Sequence, residues 1–303
     1  MASTVARPFS VHVALRSIGV TYAWWRDQAL RLEAAGYDGV ACWDHFISRG
    51  VKTDPVLECW TTLTGVAAVT TRLRLMPFVL NVMNRHPAVV ARAAVTLQEV
   101  AGGRLTLGIG IGGHPVEHHA YGIAYPEIAE RVARLEAAVA VLRALWTGGP
   151  VTRDSPFYPL RDAHAFPIPV PVPAIIVGGE TPAGARLAAR VGDGWTTRAP
   201  TFPARRALYE DALAAAGRAR AAMTVLVAFE LAKDESLAGS PWVEDPAAEA
   251  VRWAELGADG AVIAARTTAD VDLLVAAAER RFLATERRPL AAPGSRPSAE
   301  RGS

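Results

Sequence analysis

The sequence predicts an α/β protein folded as a (β/α)8 TIM barrel, and three observations carry that prediction. About eight short apolar runs alternate with segments of helical periodicity over 303 residues, the strand number and length at which a parallel sheet closes on itself. One punctuation recurs: helix, Gly, Asp-Gly, short apolar strand, at Gly36 to Trp43, Gly192 to Thr197 and Gly257 to Ala264, with Gly102-Gly103-Arg104 a close variant. A hydrophobic content of 51% can fill a sizeable core. Strand order is invisible in a sequence, so an open doubly wound sheet is the alternative.

The elements follow in order. Val11 to Leu15 reads as a first buried strand, followed by a helical stripe of Trp25, Ala29 and Leu32 that ends at Gly36. Val40 to Trp43 is the second strand. Asp54-Pro55 is expected to start a helix through Val69, and the third strand lies around Leu73 to Leu80. Pro87 begins a helix with Val90, Ala94, Leu97 and Val100 or Ala101 inward, closed by Gly102-Gly103 before a fourth strand, Leu105 to Ile109. The fifth strand, Ala174 to Val177, turns at Gly178-Gly179 into a helix with Thr181 as N-cap and Pro182 at the first position, and Gly192 suits a left-handed residue past its end. Bare N–H groups at that turn, with the helix's positive end, make a place for a phosphate; a ligand-free tight turn has the same pattern. Trp195 to Thr197, Val225 to Phe229 and Ala261 to Ala264 complete the set, the last after a helix opened by Asp245-Pro246.

Two segments interrupt the alternation. Residues 148–173 are dense in proline and are expected as an irregular or extended insertion at the barrel mouth after the fourth βα unit. Lys233 to Glu244 is polar. Residues 1–286 then form a single barrel domain, and 287–303, which lack any period, a disordered tail.

Composition excludes several classes. A formal charge of +2 without long Lys/Arg runs argues against nucleic acid or a membrane surface as partner. Cys42 and Cys59 form no CxxC and read as small core residues in a reducing compartment. With no leader pattern and no apolar run of spanning length, a cytoplasmic protein acting on a small molecule is expected.

In a barrel, chemistry lies at the carboxyl ends of the strands. Asp44-His45 directly follows the second strand, where a His can exchange a proton near neutral pH; a hydrogen-bonded structural pair would look the same. Only Asn81 at the end of the third strand offers directed hydrogen bonds. The run Gly108-Ile109-Gly110-Ile111-Gly112-Gly113 brings bare backbone to the rim. It satisfies GxGxxG, but His114-Pro115 and a polar loop follow where the dinucleotide fingerprint requires a helix. His114, His118 and His119 have no nearby carboxylate or Cys beyond Glu117 to complete a metal set, and Pro115 sits where a helix carrying them would begin, so no metal is expected. Glu230 and Arg266, at the ends of the seventh and eighth strands, face a substrate or form a rim ion pair.

The segments LEAAGYDGVACWDHF, TTRLRLMPFVLNVMNRHPAVVARAAVTLQEVAGGRLTLGIGIGG and PAIIVGGETPAGARLAARVGDGW together resemble the luciferase-like monooxygenase superfamily, in its F420-dependent oxidoreductase branch, from about Val11 to Ala284. The resemblance implies a barrel whose mouth holds a deazaflavin. By position it implies His45 as the proton-transferring residue, with Asp44 beside it, and Phe78-Val79 at a non-proline cis bond behind the ring. The cofactor would be held by Asp44, Phe78, Val79, Asn81, Ile111, Gly112, Gly113, Val177, Gly178 and Gly179, and a homodimer is implied. The chain departs from the branch's sugar-phosphate dehydrogenases. Gly113 stands where they have a Glu, leaving Glu117 as a distant substitute; Arg49 stands where they have a Trp; and their phosphate-binding lysines have no counterpart. Sugar-phosphate oxidation is therefore not carried over. The expectation is hydride transfer between deazaflavin C5 and a small organic substrate. The alternatives are an FMN-dependent monooxygenase and a non-catalytic flavin-binding barrel.

Overall fold

The computed structural model describes residues 8–232 and 235–283. Its main sheet has nine strand segments in the order β3-β2-β1-β11-β10-β9-β8-β5-β4, with every pairing in it parallel. These are β1 (Ser10–Leu15), β2 (Gly39–Cys42), β3 (Arg74–Pro77), β4 (Leu80–Asn81), β5 (Thr106–Gly110), β8 (Ala174–Gly178), β9 (Gly194–Arg198), β10 (Thr224–Phe229) and β11 (Gly260–Ala265). The segments β3 and β4 are two halves of the third barrel strand, parted at Phe78–Val79, whose peptide bond is cis. The ring closes between β3 and β5, where Leu75 bridges Leu105 and its N–H donates to the Arg104 carbonyl at 3.0 Å. The open doubly wound sheet is thereby excluded.

The recurring Asp-Gly has a mechanical explanation. Each aspartate sits one residue before its strand and accepts the main-chain N–H of the second residue of a neighbouring strand: Asp38 from Val11 at 2.6 Å, Asp193 from Ile175 at 2.9 Å and Asp259 from Val225 at 2.7 Å. Those N–H groups would otherwise be orphaned at the foot of the barrel. In the variant at Gly102-Gly103-Arg104 the arginine serves instead, donating to the carbonyls of Ala67, Thr70, Leu73 and Ala101.

The helices cover the sheet: α1 (Tyr22–Ala34), α2 (Cys59–Ala67), α3 (Pro87–Val100), α4 (Pro115–Tyr121), α5 (Ile128–Leu145), α6 (Pro182–Val191), α7 (Phe202–Ala215), α8 (Pro241–Glu244), α9 (Pro246–Glu255) and α10 (Thr268–Leu283). On α3, Ala101 is buried at its C-cap while Val100 is exposed, which settles the inward position left open by the sequence. Cys42 and Cys59 are free and buried.

Three expectations are corrected. Asp54-Pro55 does not begin a helix. Val56 bridges Ile18 and the Leu57 N–H donates to Ser17, so the chain stays extended, and Glu58 caps α2 by accepting from Trp60 and Thr61. Gly192 is extended, with φ −84° and ψ 163°. Glycine is needed there for space: a Cβ would lie 2.6 Å from the Gly194 carbonyl oxygen.

The third correction concerns the proline-dense insertion. It follows α5 and precedes β8, so it starts and ends at the foot of the barrel. It forms an antiparallel hairpin of β6 (Val151–Arg153) and β7 (Leu160–Ala163) on the flank formed by α3 and α5, rather than a cover over the mouth. Gln98 of α3 donates to the Pro171 carbonyl at 2.6 Å; Phe157 lies 4.8 Å from the Arg134 guanidinium, and the Tyr158 ring 5.2 Å from that of His86. The sequence marked it as irregular but contained no cue to the flank it would follow. The expected tail, 287–303, lies outside the described residues.

Candidate active site

The lumen is lined near the mouth by apolar residues, three of them alanines. Ala14, Ala41, Met76, Phe78, Leu226, Ala228 and Val262 form an inner cluster, against which Trp43 and Val79 pack. The Val79 side chain rests on three glycines of two adjacent strands. A Cβ on Gly108, Gly110 or Gly178 would lie 3.2, 2.8 or 3.1 Å from a Val79 methyl. Gly108 and Gly110, half of the GxGxxG match, thus make room for a side chain from the third strand. The seat leaves a ledge below the mouth bounded by glycine and alanine, of a kind that a flat ring needs.

His45 and its partner rise beside this ledge. The first turn of α4 brings Glu117, 1% exposed, to His45, whose Nδ1 lies 3.3 Å from Glu117 Oε1; the Phe46 N–H donates to Oε2 at 3.0 Å. The carboxylate therefore takes the proton at Nδ1 and leaves Nε2 as the exchangeable nitrogen. Burial pushes the Glu117 carboxyl up, but the hydrogen bonds from His45 and the Phe46 amide, with the charges of His45 and His114, outweigh burial and hold it below its ordinary value. Sequence reasoning placed Glu117 at a distance. The signal that could have found it is Pro115, which suits the first position of a helix and so puts Glu117 in its opening turn.

Asp44 is buried and spent on protein partners. Its Oδ2 accepts from Asn81 N (2.9 Å), Asn84 Nδ2 (3.2 Å) and Arg85 Nη1 (2.9 Å), and its Oδ1 from Arg85 Nη2 (2.9 Å). Arg85 also pairs with Glu58. Burial works against the Arg85 charge, but these two carboxylates hold the guanidinium above its ordinary value. The same linkage ties the loop carrying His45 to the starts of α2 and α3.

Asn81 is likewise committed. Its Oδ1 accepts the Met83 N–H at 3.0 Å, so its Nδ2 donates to His118 Nε2 at 2.7 Å. Burial lowers the His118 value, consistent with a neutral ring accepting there. The His114 ring, its value also lowered by burial, meets His45 edge-on at 5.8 Å between centroids, so His114 and His118 turn to different partners.

The glycine turns divide in the same way. Gly112, at φ +75°, packs on the Asn81 amide, and the carbonyls of Ile111 and Gly112 accept from Arg131 at 3.1 and 2.8 Å. Gly113 is exposed with open space around it. Val177 is buried and directed at Gly192, away from the ledge. Gly178 faces Val79. The Gly179 N–H is not bare as the sequence suggested; it donates to the Thr196 carbonyl at 3.0 Å, while its own carbonyl accepts from Trp195 Nε1 at 2.8 Å. Its backbone lies against Gly184, where a Cβ would meet the carbonyl carbon at 2.6 Å. At the rim, Arg198 pairs with Glu180, and Arg266 donates to the carbonyls of Leu231 and Ala232; Glu230 is not its partner.

In front of His45 opens a cleft of about 380 Å³ lined by His45, Phe46, Val56, Glu58 and Tyr121. No helix among the described residues is long and apolar enough to cross a membrane.

Fold and site define a (β/α)8 barrel with a histidine–carboxylate pair at its carboxyl-terminal face. The chain belongs to the luciferase-like monooxygenase family, whose model matches residues 1–239. It is similar to the F420-dependent glucose-6-phosphate dehydrogenase of Beutenbergia cavernae, at 39% identity over 165 residues covering 54% of this chain and 48% of that protein. It is also similar to the phthiodiolone/phenolphthiodiolone dimycocerosates ketoreductase of a Mycobacterium species, at 37% identity over 189 residues covering 59% and 48%. The chain spans about half the length of the curated relatives it matches. Among solved structures it superposes on an F420-dependent secondary alcohol dehydrogenase in complex with an F420-acetone adduct (TM-score 0.80, 19% identity, 92% of this chain and 100% of that one). It also superposes on the F420-dependent tetrahydromethanopterin reductase of Methanopyrus kandleri (TM-score 0.74, 15% identity, 91% and 99%). At these identities the superpositions speak for the fold.

Proposed function

We propose that the protein is an F420-dependent oxidoreductase, a dehydrogenase or reductase, that moves a hydride between the deazaflavin and a small organic substrate. The observation that carries this reading is the His45–Glu117 pair just after β2, with the glycine-seated Val79 at the end of the neighbouring strand and His45 lining an open cleft. The lumen fits a planar tricyclic group: Val79 occupies the space that side chains on Gly108, Gly110 and Gly178 would fill, and the inner walls are apolar. When bound, the deazaflavin supplies the two-electron chemistry at C5.

The residues of the chain do the rest. Val79 and Phe78 would support the ring, and the exposed backbone at Gly113 would be available to the cofactor's tail. Asp44 and Asn81 act from beneath by fixing the loops that carry His45 and Gly112. Glu117 holds the imidazole through Nδ1, so Nε2 takes the substrate hydroxyl proton in oxidation or returns it in reduction. A homodimer, supported by the family resemblance, and a cytoplasmic location, supported by two free cysteines, belong to the same proposal.

The test is a pair of binding titrations with F420 and FMN, each oxidised and reduced. Binding of F420 at least tenfold tighter than FMN is expected, by about 1.4 kcal/mol or more. Tight binding of reduced FMN with negligible F420 affinity would sink the reading in favour of a flavin monooxygenase. With F420 bound, His45→Ala should lower turnover by about 10²–10⁴-fold at little cost in cofactor affinity. Unchanged activity would identify a non-catalytic barrel.

A further inference from the structure

Helix α4 carries Glu117 to His45, yet little within the helix itself holds it there. It is seven residues long, too short to be stable alone, and its N-cap, His114, makes no side-chain cap hydrogen bond. It buries two side chains, Glu117 and His118. Glu117 faces His45. His118, 0% exposed, meets Asn81, whose Nδ2 lies 2.7 Å from His118 Nε2, and the Tyr125 ring at 4.5 Å between centroids.

The Asn81 end of this bond is fixed. Its main-chain N–H donates to Asp44 at 2.9 Å, its Oδ1 accepts from Met83 at 3.0 Å, and Gly112 packs on its amide. With Oδ1 committed, the group facing His118 is a donor only, so His118 Nε2 is bare and the ring carries its proton on Nδ1. A closed circuit results, from His45 to Glu117, along α4 to His118, and through Asn81 to Asp44, the chain neighbour of His45.

We infer that His118 is a positioning residue: by accepting the Asn81 amide it seats α4 and so sets the Glu117 carboxylate against His45 Nδ1. Its place in catalysis rests on the reading above. The seat also depends on charge, because a second proton would put a donor at Nε2 opposite the Asn81 donor. The charged and titratable groups facing the ring are Glu117 of its own helix, His114 just before it, Asp44 after β2, Tyr125, and Arg131 of α5. Burial, the largest influence, and Arg131 disfavour the charged ring, whereas Glu117, the Ala124 carbonyl and Asp44 favour it. Burial and Arg131 prevail, and the value lies below the ordinary 6.5. The seat is therefore closed at neutral pH and opens as pH falls through that lowered value.

The experiment is long-range proton–nitrogen NMR of the histidine rings in the full chain without cofactor, which reads the nitrogen that carries each proton. His118 and His45 should both show Nδ1–H at neutral pH. In His118→Leu, which fills the space but accepts nothing, His45 should move toward the Nε2–H form of a free imidazole. In His118→Gln, whose side-chain oxygen can take the Asn81 amide, His45 should stay as in wild type. An unmoved His45 in a folded His118→Leu, or Nε2–H on wild-type His118, overturns the inference. Should His118→Leu not fold, the wild-type titration decides: amide signals of residues 115–121 should follow the His118 midpoint, below 6.5, and shifts that follow His45 alone overturn it. With F420 loaded, His118→Leu should lower turnover about 10- to 100-fold and F420 affinity by less than about threefold, with His118→Gln within about threefold of wild type. Failure of F420 to bind overturns the cofactor reading instead, and the ring spectra still decide the positioning role.

Discussion

At the scale of single residues, the proposed chemistry depends on Glu117. Glu117→Gln keeps an oxygen for the His45 Nδ1–H but removes the charge that balances an imidazolium. Turnover should fall about 10- to 100-fold, the worth of a charge-assisted hydrogen bond of about 1.5–3 kcal/mol. The folded-state value of this carboxyl is depressed, so its contribution to stability is present above its ordinary value of 4.5 and is lost as pH falls through the folded value. Urea midpoints of wild type and Glu117→Gln should therefore differ at neutral pH and converge in acid. A constant gap across that range would mean that the charge of Glu117 contributes nothing. His45 could be found in the sequence because it directly follows an apolar strand. Glu117 could not, because a turn of helix returns it across space. Asp44 could be found too, but its environment could not: nothing in sequence order announces that Arg85 would take both of its oxygens.

At the scale of elements, the third and fourth strands depend on one another through Val79. Gly110→Ala would place a Cβ 2.8 Å from a Val79 methyl, whereas Gly108→Ala would place one 2.2 Å from the Pro77 carbonyl oxygen. Both should destabilise by about 1–3 kcal/mol or more through overpacking. Adding Val79→Ala should rescue the first variant and not the second, because only the first collision involves a side chain that truncation removes. Thermal unfolding of the double variants checks this, and equal rescue of both would contradict the seat as described. The Asp-Gly repeats invite a similar measurement. Asp259→Ala leaves the Val225 N–H without its partner and breaks the ion pair to Arg220, so a loss of about 1–3 kcal/mol is expected in urea unfolding. The strands and the starts of α3, α6 and α9 were legible because Asp-Gly and a proline at the first helical position act locally. The start of α2 was not, since long-range pairing of Val56 with Ile18 overrode the local signal at Asp54-Pro55.

At the scale of the whole molecule, labour is divided between the two ends of the barrel. The aspartates and Arg104 tie strands and helix ends together at the foot, while His45, Glu117 and the cleft lie on segments that follow strands at the other end. The alternation of short strands and helices made the barrel readable. The course of the proline-dense hairpin along α3 and α5 was not readable, because its path is set by contacts such as Tyr158 with His86 that join residues far apart in the chain. Sedimentation velocity on the full chain should give a single species of twice the chain mass, and a monomer at micromolar concentration would remove the homodimer from the proposal.

The valine on its three-glycine seat also constrains descent. Enlarging any of the three while the valine persists jams the floor, and shrinking the valine alone opens a void, so no single substitution there is neutral. Across related genes these four sites should vary in concert or stay fixed, and a lineage that remodels the floor must first pass through a less stable ancestor or acquire a compensating change elsewhere.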